Sequence, residues 1–536
     1  MLVNSYCHSM DELFDDLHKA RKDIGTVIGV VAPGLGQHII GQDYPAIKNN
    51  PYKHTDAYVR QGADICDAEK EYLKHRLPLA KVALGELLGR QLEDHQPLTI
   101  AMSGSGGGYR AALVFLGMLL GAEKMGLLDT ITYMPTLSGS TGTAAAWIST
   151  KLPLEVFKEY ILDRVTTPFT NPTDEEELLI MQAAGVKSFF NQKKGPVDLY
   201  GDLLGNTFLE HFKDQRHMVY LSDQADNIKD GSLPCPIYTA VDGDETIAEN
   251  PTWHEHTPYE VGNPIDKTYI PSWAYGRKFK EGKSVKGNFE VYPPAKPISY
   301  NLGTFWSAFG ANNHLIKEEI AKRFGGKVGE FIEHFAPSLD GERPLDVYGE
   351  IPNYMYKMKQ LHNPQSAQAK MSKEVDAGTD YNIPLLAVNR PGRKADVIFI
   401  CDASADQIGD QLKKAVADMQ RHNLPFPRIN FDTINKKTMS IFKEADPAVP
   451  VVIYVPRISD HQAWDKHKEN PQYAPYKLSG FDLERETFEG FASTIHFQYT
   501  RENAEKVVNQ MEFNMRVNQA KVVKALNFAV DRKKMQ

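Results

Sequence analysis

The sequence predicts an α/β fold in which a mostly parallel central sheet is flanked by helices, with lid-like insertions. Three observations carry that prediction. Apolar runs of strand length, over 97–102, 395–402 and 450–455, alternate with segments of helical spacing. Loops of glycine and other small residues stand where strand must turn into helix, at 103–110 and 136–140. No Gly/Ser linker, low-complexity tract or fixed-period repeat divides the chain, so 71–536 reads as one α/β domain with 1–70 leading into it.

In chain order, 67–95 has the spacing and composition of a helix covering the sheet. The strand at 97–102 runs into Ser103-Gly104-Ser105-Gly106-Gly107-Gly108-Tyr109-Arg110 and a helix over 110–124. A second strand-like run then meets Thr136-Leu137-Ser138-Gly139-Ser140 and another helix. A right-handed crossover between two parallel strands brings both loops to the same carboxyl-terminal edge of one sheet. Residues 160–300, rich in Pro, Asn, Gly and aromatics, read as irregular and as the place for a lid or substrate-binding insertions. A buried strand at 395–402, a helix over 406–421, a strand at 450–455 and one long polar-faced helix from Glu502 complete the order.

Each of the two loops supplies something that acyl transfer needs. Gly106, Gly107 and Gly108 let backbone N–H groups approach a ligand without Cβ obstruction, and the following helix adds the positive end of its dipole. That describes an oxyanion hole as well as a phosphate cradle. Ser138 has the setting of a nucleophile elbow, although Thr136 and Ser140 occupy the glycine positions of the usual G-x-S-x-G. As a dinucleotide or P-loop site the glycine loop fails, because the G-x-G-x-x-G spacing is broken and no Lys-Ser/Thr follows.

Composition sets the outer bounds. The 536 residues are 42% hydrophobic and 24% charged, and the formal net charge of -8, from 61 basic and 69 acidic residues without a long basic run, argues against nucleic acid as main partner. Cys7, Cys66, Cys235 and Cys401 form no C-x-x-C, so a reduced, cytoplasmic setting is expected. Asp11, Glu12, Asp15 and Asp16 precede the apolar run 26–35, which Pro33 and Gly34 interrupt, so neither a signal peptide nor a membrane span is expected there. Contact with lipid is therefore expected to be peripheral.

A serine needs a base. Seventeen histidines are present, and none is singled out by its setting. His254-Glu255-His256 puts two imidazoles on one strand face with no third ligand at a usual spacing, so no metal and no cofactor are expected. The stronger candidate is Asp376 in Val375-Asp376-Ala377-Gly378, ahead of Asn382-Ile383-Pro384, although an Asp-x-Gly turn ordinarily bonds its own backbone.

Gly104-Ser105-Gly106-Gly107-Gly108-Tyr109-Arg110-Ala111, Leu137-Ser138-Gly139-Ser140-Thr141 and Asp376-Ala377-Gly378 resemble the three signature segments of the cytosolic (group IV) phospholipase A2 catalytic domain, within the patatin-like serine lipases. Pro236-Ile237-Tyr238-Thr239-Ala240, Trp306-Ser307-Ala308-Phe309, Asn423-Leu424-Pro425-Phe426-Pro427 and Phe497-Gln498-Tyr499 resemble further family segments in the same order, from about residue 70 to the carboxyl end. The resemblance implies Ser138 as nucleophile and Asp376 as the other half of a dyad, with oxyanion-hole donors at Gly107 and Gly108. It also matches Arg110 and Arg393 to arginines associated with activity or the phospholipid phosphate, a structural ion pair being the other reading for either. The implied activity is calcium-independent hydrolysis of glycerophospholipid acyl esters at a membrane surface, through an acyl-enzyme. Residues 1–99 hold no cluster of loop aspartates, so calcium-driven recruitment through a C2 domain is not expected.

Two departures stand out: Thr136 replaces the glycine usual before the elbow, and Thr141-Gly142-Thr143 lacks the aromatic that commonly follows. A lysophospholipase or transacylase with the same dyad remains an alternative, as does a non-catalytic lipid-binding scaffold. The aromatic segment Tyr269-Ile270-Pro271-Ser272-Trp273-Ala274-Tyr275, followed by Arg277, Lys278 and Lys280, is a candidate for a mobile cover with cations for anionic headgroups, ordinary packing of a surface loop being the other reading. A protein activator, an acidic-lipid patch or simple collision are the routes left for reaching the membrane.

Overall fold

A run of consecutive apolar side chains has one stable place in an α/β protein, the middle of a sheet covered on both faces, and Val397–Asp402 takes it with all six residues buried. The computed structural model describes residues 43–93, 97–169, 172–193, 195–243, 251–287, 290–308, 348–361, 363–478, 481, 483 and 496–533. Its strands are β1 (Arg60–Gln61), β2 (Ile100–Gly104), β3 (Tyr133–Thr136), β4 (Cys235–Asp242), β5 (Trp253–His256), β6 (Glu260–Asn263), β7 (Thr268–Pro271), β8 (Phe279–Lys280), β9 (Lys283–Ser284), β10 (Gly349–Pro352), β11 (Met371–Asp376), β12 (Val397–Asp402), β13 (Ser440–Phe442) and β14 (Val451–Pro456). Among the described residues twelve of these form one sheet, in the order β1-β7-β6-β5-β4-β3-β2-β12-β14-β13, with β11 also pairing β4 and β10 pairing β11. The middle, β4-β3-β2-β12-β14, is parallel. Antiparallel strands extend it on both sides.

The helices that matter for the site are α1 (Asp67–Leu88), α2 (Gly108–Lys124), α3 (Gly139–Thr150), α4 (Asp174–Phe189), α5 (Pro196–Phe208), α6 (Ile298–Phe305), α7 (Asp410–Arg421), α8 (Arg501–Val517) and α9 (Gln519–Lys533). Helix α2 is apolar all round and buried over its first fifteen residues. Helix α1 pins the amino-terminal edge of the sheet: the Tyr72 hydroxyl donates to Thr132 O, and the buried Arg76 guanidinium donates to the carbonyls of Ile131 and Gly231.

Three expectations change. Residues 160–300 are not irregular: they hold α4, α5 and strands β4 to β9, and β4 is an interior strand beside β3. The long helix expected from Glu502 is two helices, α8 and α9, because the Asn518 side chain donates to Asn514 O and Thr438 Oγ1 and ends the first at that residue. The aromatic segment 269–275 is no mobile cover, since Tyr269, Ile270, Ala274 and Tyr275 are buried and Trp273 stacks on Tyr52 with ring centroids 4.5 Å apart. Arg277 is likewise buried, donating to Pro293 O, Thr55 O and Tyr52 O, and is not a headgroup cation; Lys278 and Lys280 are exposed. Cys7, the acidic residues 11–16 and the run 26–35 lie outside the described residues.

Register decides what meets at the carboxyl edge. Gly104 of β2 faces Thr136 of β3, and Thr136 faces Tyr238 of β4. Asp376, the last residue of β11, faces Ala240, two residues further along β4. Asp376 thus ends its strand at the level where the chain leaves β3 for Ser138.

Candidate active site

Ser138 takes φ 47° and ψ -121°, a conformation that an L side chain pays to adopt, and Gly139 opens α3 directly after it. The serine is 7% exposed at the end of β3. The two positions where glycine was absent are accommodated by hydrogen bonds. The Thr141 hydroxyl donates to Thr136 Oγ1 at 3.1 Å, and the Ser140 hydroxyl donates to Ser105 O at 2.6 Å. The second bond ties the elbow to the glycine loop.

Gly107 (φ 138°) and Gly108 (φ 60°) have backbone angles that favour glycine. They are the cap and first residue of α2, so their amides lack intrahelical acceptors and sit at the positive end of the helix. Asn382 fixes the loop from below: the Gly106 amide donates to its Oδ1 at 3.1 Å, and its Nδ2 donates to Gly106 O at 3.0 Å and Ser404 Oγ at 2.8 Å.

Asp376 is 1% exposed. Its Oδ1 accepts from the Gly378 amide at 2.9 Å, the local turn bond expected of Asp-x-Gly. Its own amide donates to Ser307 Oγ at 3.1 Å, and Ser307 Oγ donates to Thr304 O at 2.8 Å. Burial pushes the carboxyl up to about 7, against the Gly378 amide, the Ser138 hydroxyl and the Ala308 amide, which lower it. Oδ2 is buried without a hydrogen bond of full geometry.

The arginines part company. Arg110 lies beside the loop, 1% exposed, with Nε donating to Ala403 O at 2.8 Å. Burial, then repulsion from Arg457, bring its pKa down to about 10. Arg393 is elsewhere: its guanidinium donates to Glu69 Oε1 and Glu255 Oε2, each at 2.8 Å, and lies over the ring of Tyr133, at the amino-terminal start of β3. Two carboxylates occupy it at the opposite end of the strand from Ser138, so its assignment to phosphate is corrected to a buried ion pair.

His254 and His256 share a face of β5, as their spacing implied, but that face is filled by carboxylates. His254 Nε2 is 2.7 Å from Asp242 Oδ1, and His256 Nε2 is 3.1 Å from Glu374 Oε2, which also accepts from the Tyr275 hydroxyl at 2.7 Å. Burial opposes a charge on His254, yet Asp242 and Glu374 lift it to about 9. Burial likewise opposes the charge on Glu374, but His256 and His254 hold it down at about 2. Among the described residues no group of three or more His, Cys, Asp or Glu is placed to hold a metal ion.

Asn382, Ser307 and Thr304 are the supporting residues that motif reasoning missed. Asn382 stood in the Asn-Ile-Pro run after the Asp turn, and Ser307 in the Trp-Ser-Ala-Phe run, but neither segment announces which strand end it will serve.

Residues 100–424 match the family model described as "Lysophospholipase catalytic domain". The chain is 26% identical to mouse cytosolic phospholipase A2 epsilon, over 93% of this chain and 63% of that protein. It is 30% identical to mouse cytosolic phospholipase A2 gamma, over 77% of this chain and 85% of that protein. It thus spans less than two thirds of the epsilon relative's length. The structure of human GIVD cytosolic phospholipase A2 superposes with a TM-score of 0.74 at 21% identity, covering 88% of this chain and 68% of that one. That likeness confirms the α/β architecture with its parallel sheet centre.

Proposed function

Because the chain belongs to the family of lysophospholipase catalytic domains, we propose that it hydrolyses fatty-acyl esters of phospholipids with a Ser138–Asp376 dyad, without calcium, at a membrane surface reached from the cytoplasm. The observation that carries the reading is a strained serine turn and a buried carboxyl of raised pKa brought together at one sheet edge. Phospholipase names borne by the relatives support the substrate class.

Asp376 accepts the Ser138 proton as Oγ attacks the ester carbonyl, then returns it to the departing alcohol oxygen. An ordinary carboxylate near pKa 4 is a poor base for a hydroxyl; burial of Asp376 raises its basicity, and proton transfer is coupled to the attack of Oγ. The Gly107 and Gly108 amides donate to the tetrahedral oxyanion, each worth on the order of 3 kcal/mol in comparable sites. Water deprotonated by Asp376 then cleaves the acyl-serine. Arg110, buried beside the loop, adds positive potential that favours both the oxyanion and a substrate phosphate. Among the described residues no helix is long and apolar enough to cross a membrane; in this reading the enzyme meets lipid from outside, with or without a protein activator. The family model's description favours a second reading in which one-chain lysophospholipids are the better substrates.

Release of fatty acid from phosphatidylcholine/phosphatidylserine vesicles and from lysophosphatidylcholine, with EDTA present, tests this. Activity of the wild type that Ser138→Ala and Asp376→Asn both lack supports it, and the ratio between the two lipids decides between the readings. Activity surviving in either variant, or activity abolished by EDTA and restored by calcium, overturns the mechanism.

A further inference from the structure

A cavity of about 290 Å³ lies between α4, α6 and β10, and no residue of the glycine loop, the elbow or the Asp376 turn lines it. That volume is close to the lower end of small-molecule sites, which begin at about 300 Å³. Its walls include Leu179, Val186, Met218, Ile351 and Met371, so most of what a guest meets is hydrocarbon. Lys296 lines this apolar space and is itself 7% exposed.

The partners of the lining lysines differ. Lys187 pairs with Asp198 at 2.6 Å and Lys193 with Glu350 at 2.6 Å. Lys296 Nζ donates to the Thr304 hydroxyl at 2.9 Å, stands 6.0 Å from the Tyr275 ring centroid, and pairs with no carboxylate among the described residues. An ammonium has three protons to place, and a neutral hydroxyl takes one of them. Burial brings Lys296 down to about 8, with Asp198 and Glu374 pulling it up and Lys187 pushing it down, neither carboxylate being in contact with it. A buried cation without a directly paired carboxylate, on the wall of an apolar cavity, calls for an anion that carries its own hydrocarbon.

We infer that this cavity binds a single-chain amphiphile with a compact, singly charged head, a long-chain carboxylate, whose head meets the Lys296 ammonium while its chain lies along the apolar wall. One buried cation without an ion pair selects one negative charge; Lys278, also on the wall, is exposed to solvent, and Glu350, a lining carboxylate, is already neutralised by Lys193. Asp214, the other lining carboxylate, is exposed. Thr304 also accepts from Ser307, which accepts from the Asp376 amide, so the head-group site and the candidate base share the end of α6 as support. The inference stands independently of the hydrolytic reading, since it concerns binding alone.

Calorimetric titration of sodium decanoate into the Ser138→Ala protein and into Ser138→Ala with Lys296→Met tests it. One decanoate is expected to bind, weakened about tenfold or more by Lys296→Met and by exchanging decanoate for decanol, as loss of a charged hydrogen bond requires. Equal affinity of the two proteins for decanoate, decanol binding as well as decanoate, or no binding at all would each overturn the site. Should Lys296→Met melt early, acetylation of the unmutated protein followed by peptide mass spectrometry decides. Saturating decanoate is expected to slow modification of Lys296 about fivefold or more by mass action while exposed Lys229 reacts unchanged. Unchanged acetylation of Lys296 would overturn the inference.

Discussion

Gly139 sits so close to the carbonyl oxygen of Gly108 that a Cβ on Gly139 would overlap that oxygen. The serine turn and the glycine loop are thus in direct backbone contact, which fixes Ser138 relative to the Gly107 and Gly108 amides. Gly139→Ala is expected to push the loops apart and cost on the order of 100-fold in kcat, the scale of a lost oxyanion donor. Activity measured beside the melting temperature checks this; a fully active Gly139→Ala protein would mean that the contact does not set the geometry.

The pH–rate profile follows from the raised Asp376 pKa. The base form is the ionised carboxylate, so kcat/KM is expected to rise with pH and level off above about 7. A profile flat from pH 5 to 8 would contradict Asp376 as the base.

Stability has the opposite sign. Between its ordinary pKa of 3.8 and the folded value of about 7, the folded protein holds a proton that the unfolded chain has released, so stability falls as pH rises through that window. Above it, the buried charge costs up to about 4 kcal/mol, the full shift converted to energy. Asp376→Asn is therefore expected to unfold at higher denaturant than wild type at pH 8, with the difference vanishing below pH 4. Urea titrations at the two pH values measure it.

Ser138 holds a positive φ that glycine adopts without strain. Ser138→Gly is expected to gain about 1 kcal/mol or more in stability and to lose activity altogether, whereas Ser138→Ala keeps the strain and loses activity alone. Denaturation midpoints of the three proteins separate the cases.

Much of this was legible in the chain. The glycine loop, the serine turn and the Asp-Ala-Gly turn are local motifs, and each landed where strand order and register bring it to one edge. What escaped the sequence depended on distant partners. Strands β5, β6 and β7 are four residues each, and pair in a meander that periodicity over so short a run does not reveal. Arg393 reads as a candidate phosphate ligand until Glu69, 324 positions earlier in the chain, is found bonded to it. Thr136 looked like a flaw in the elbow, and only the fold supplies the Thr141 hydroxyl that accommodates it.

The Arg393 correction has its own consequence. Removing it strands Glu69, while Arg390 still holds Glu255 at 2.7 Å. Arg393→Met is expected to destabilise the protein by about 3–5 kcal/mol, the usual cost of leaving a buried charge unpaired. The KM of whatever folded enzyme remains is expected to be unchanged; a raised KM for phospholipid at unaltered stability would return the residue to the substrate site.

The dyad itself is tested most directly by reaction with a fluorophosphonate, followed by peptide mass spectrometry of wild type and Asp376→Asn over time. Phosphonylation of Ser138 alone, slowed 100-fold or so in Asp376→Asn as loss of a positioned general base requires, is the predicted result. Equal labelling rates in the two proteins, or an adduct on another serine, would contradict it.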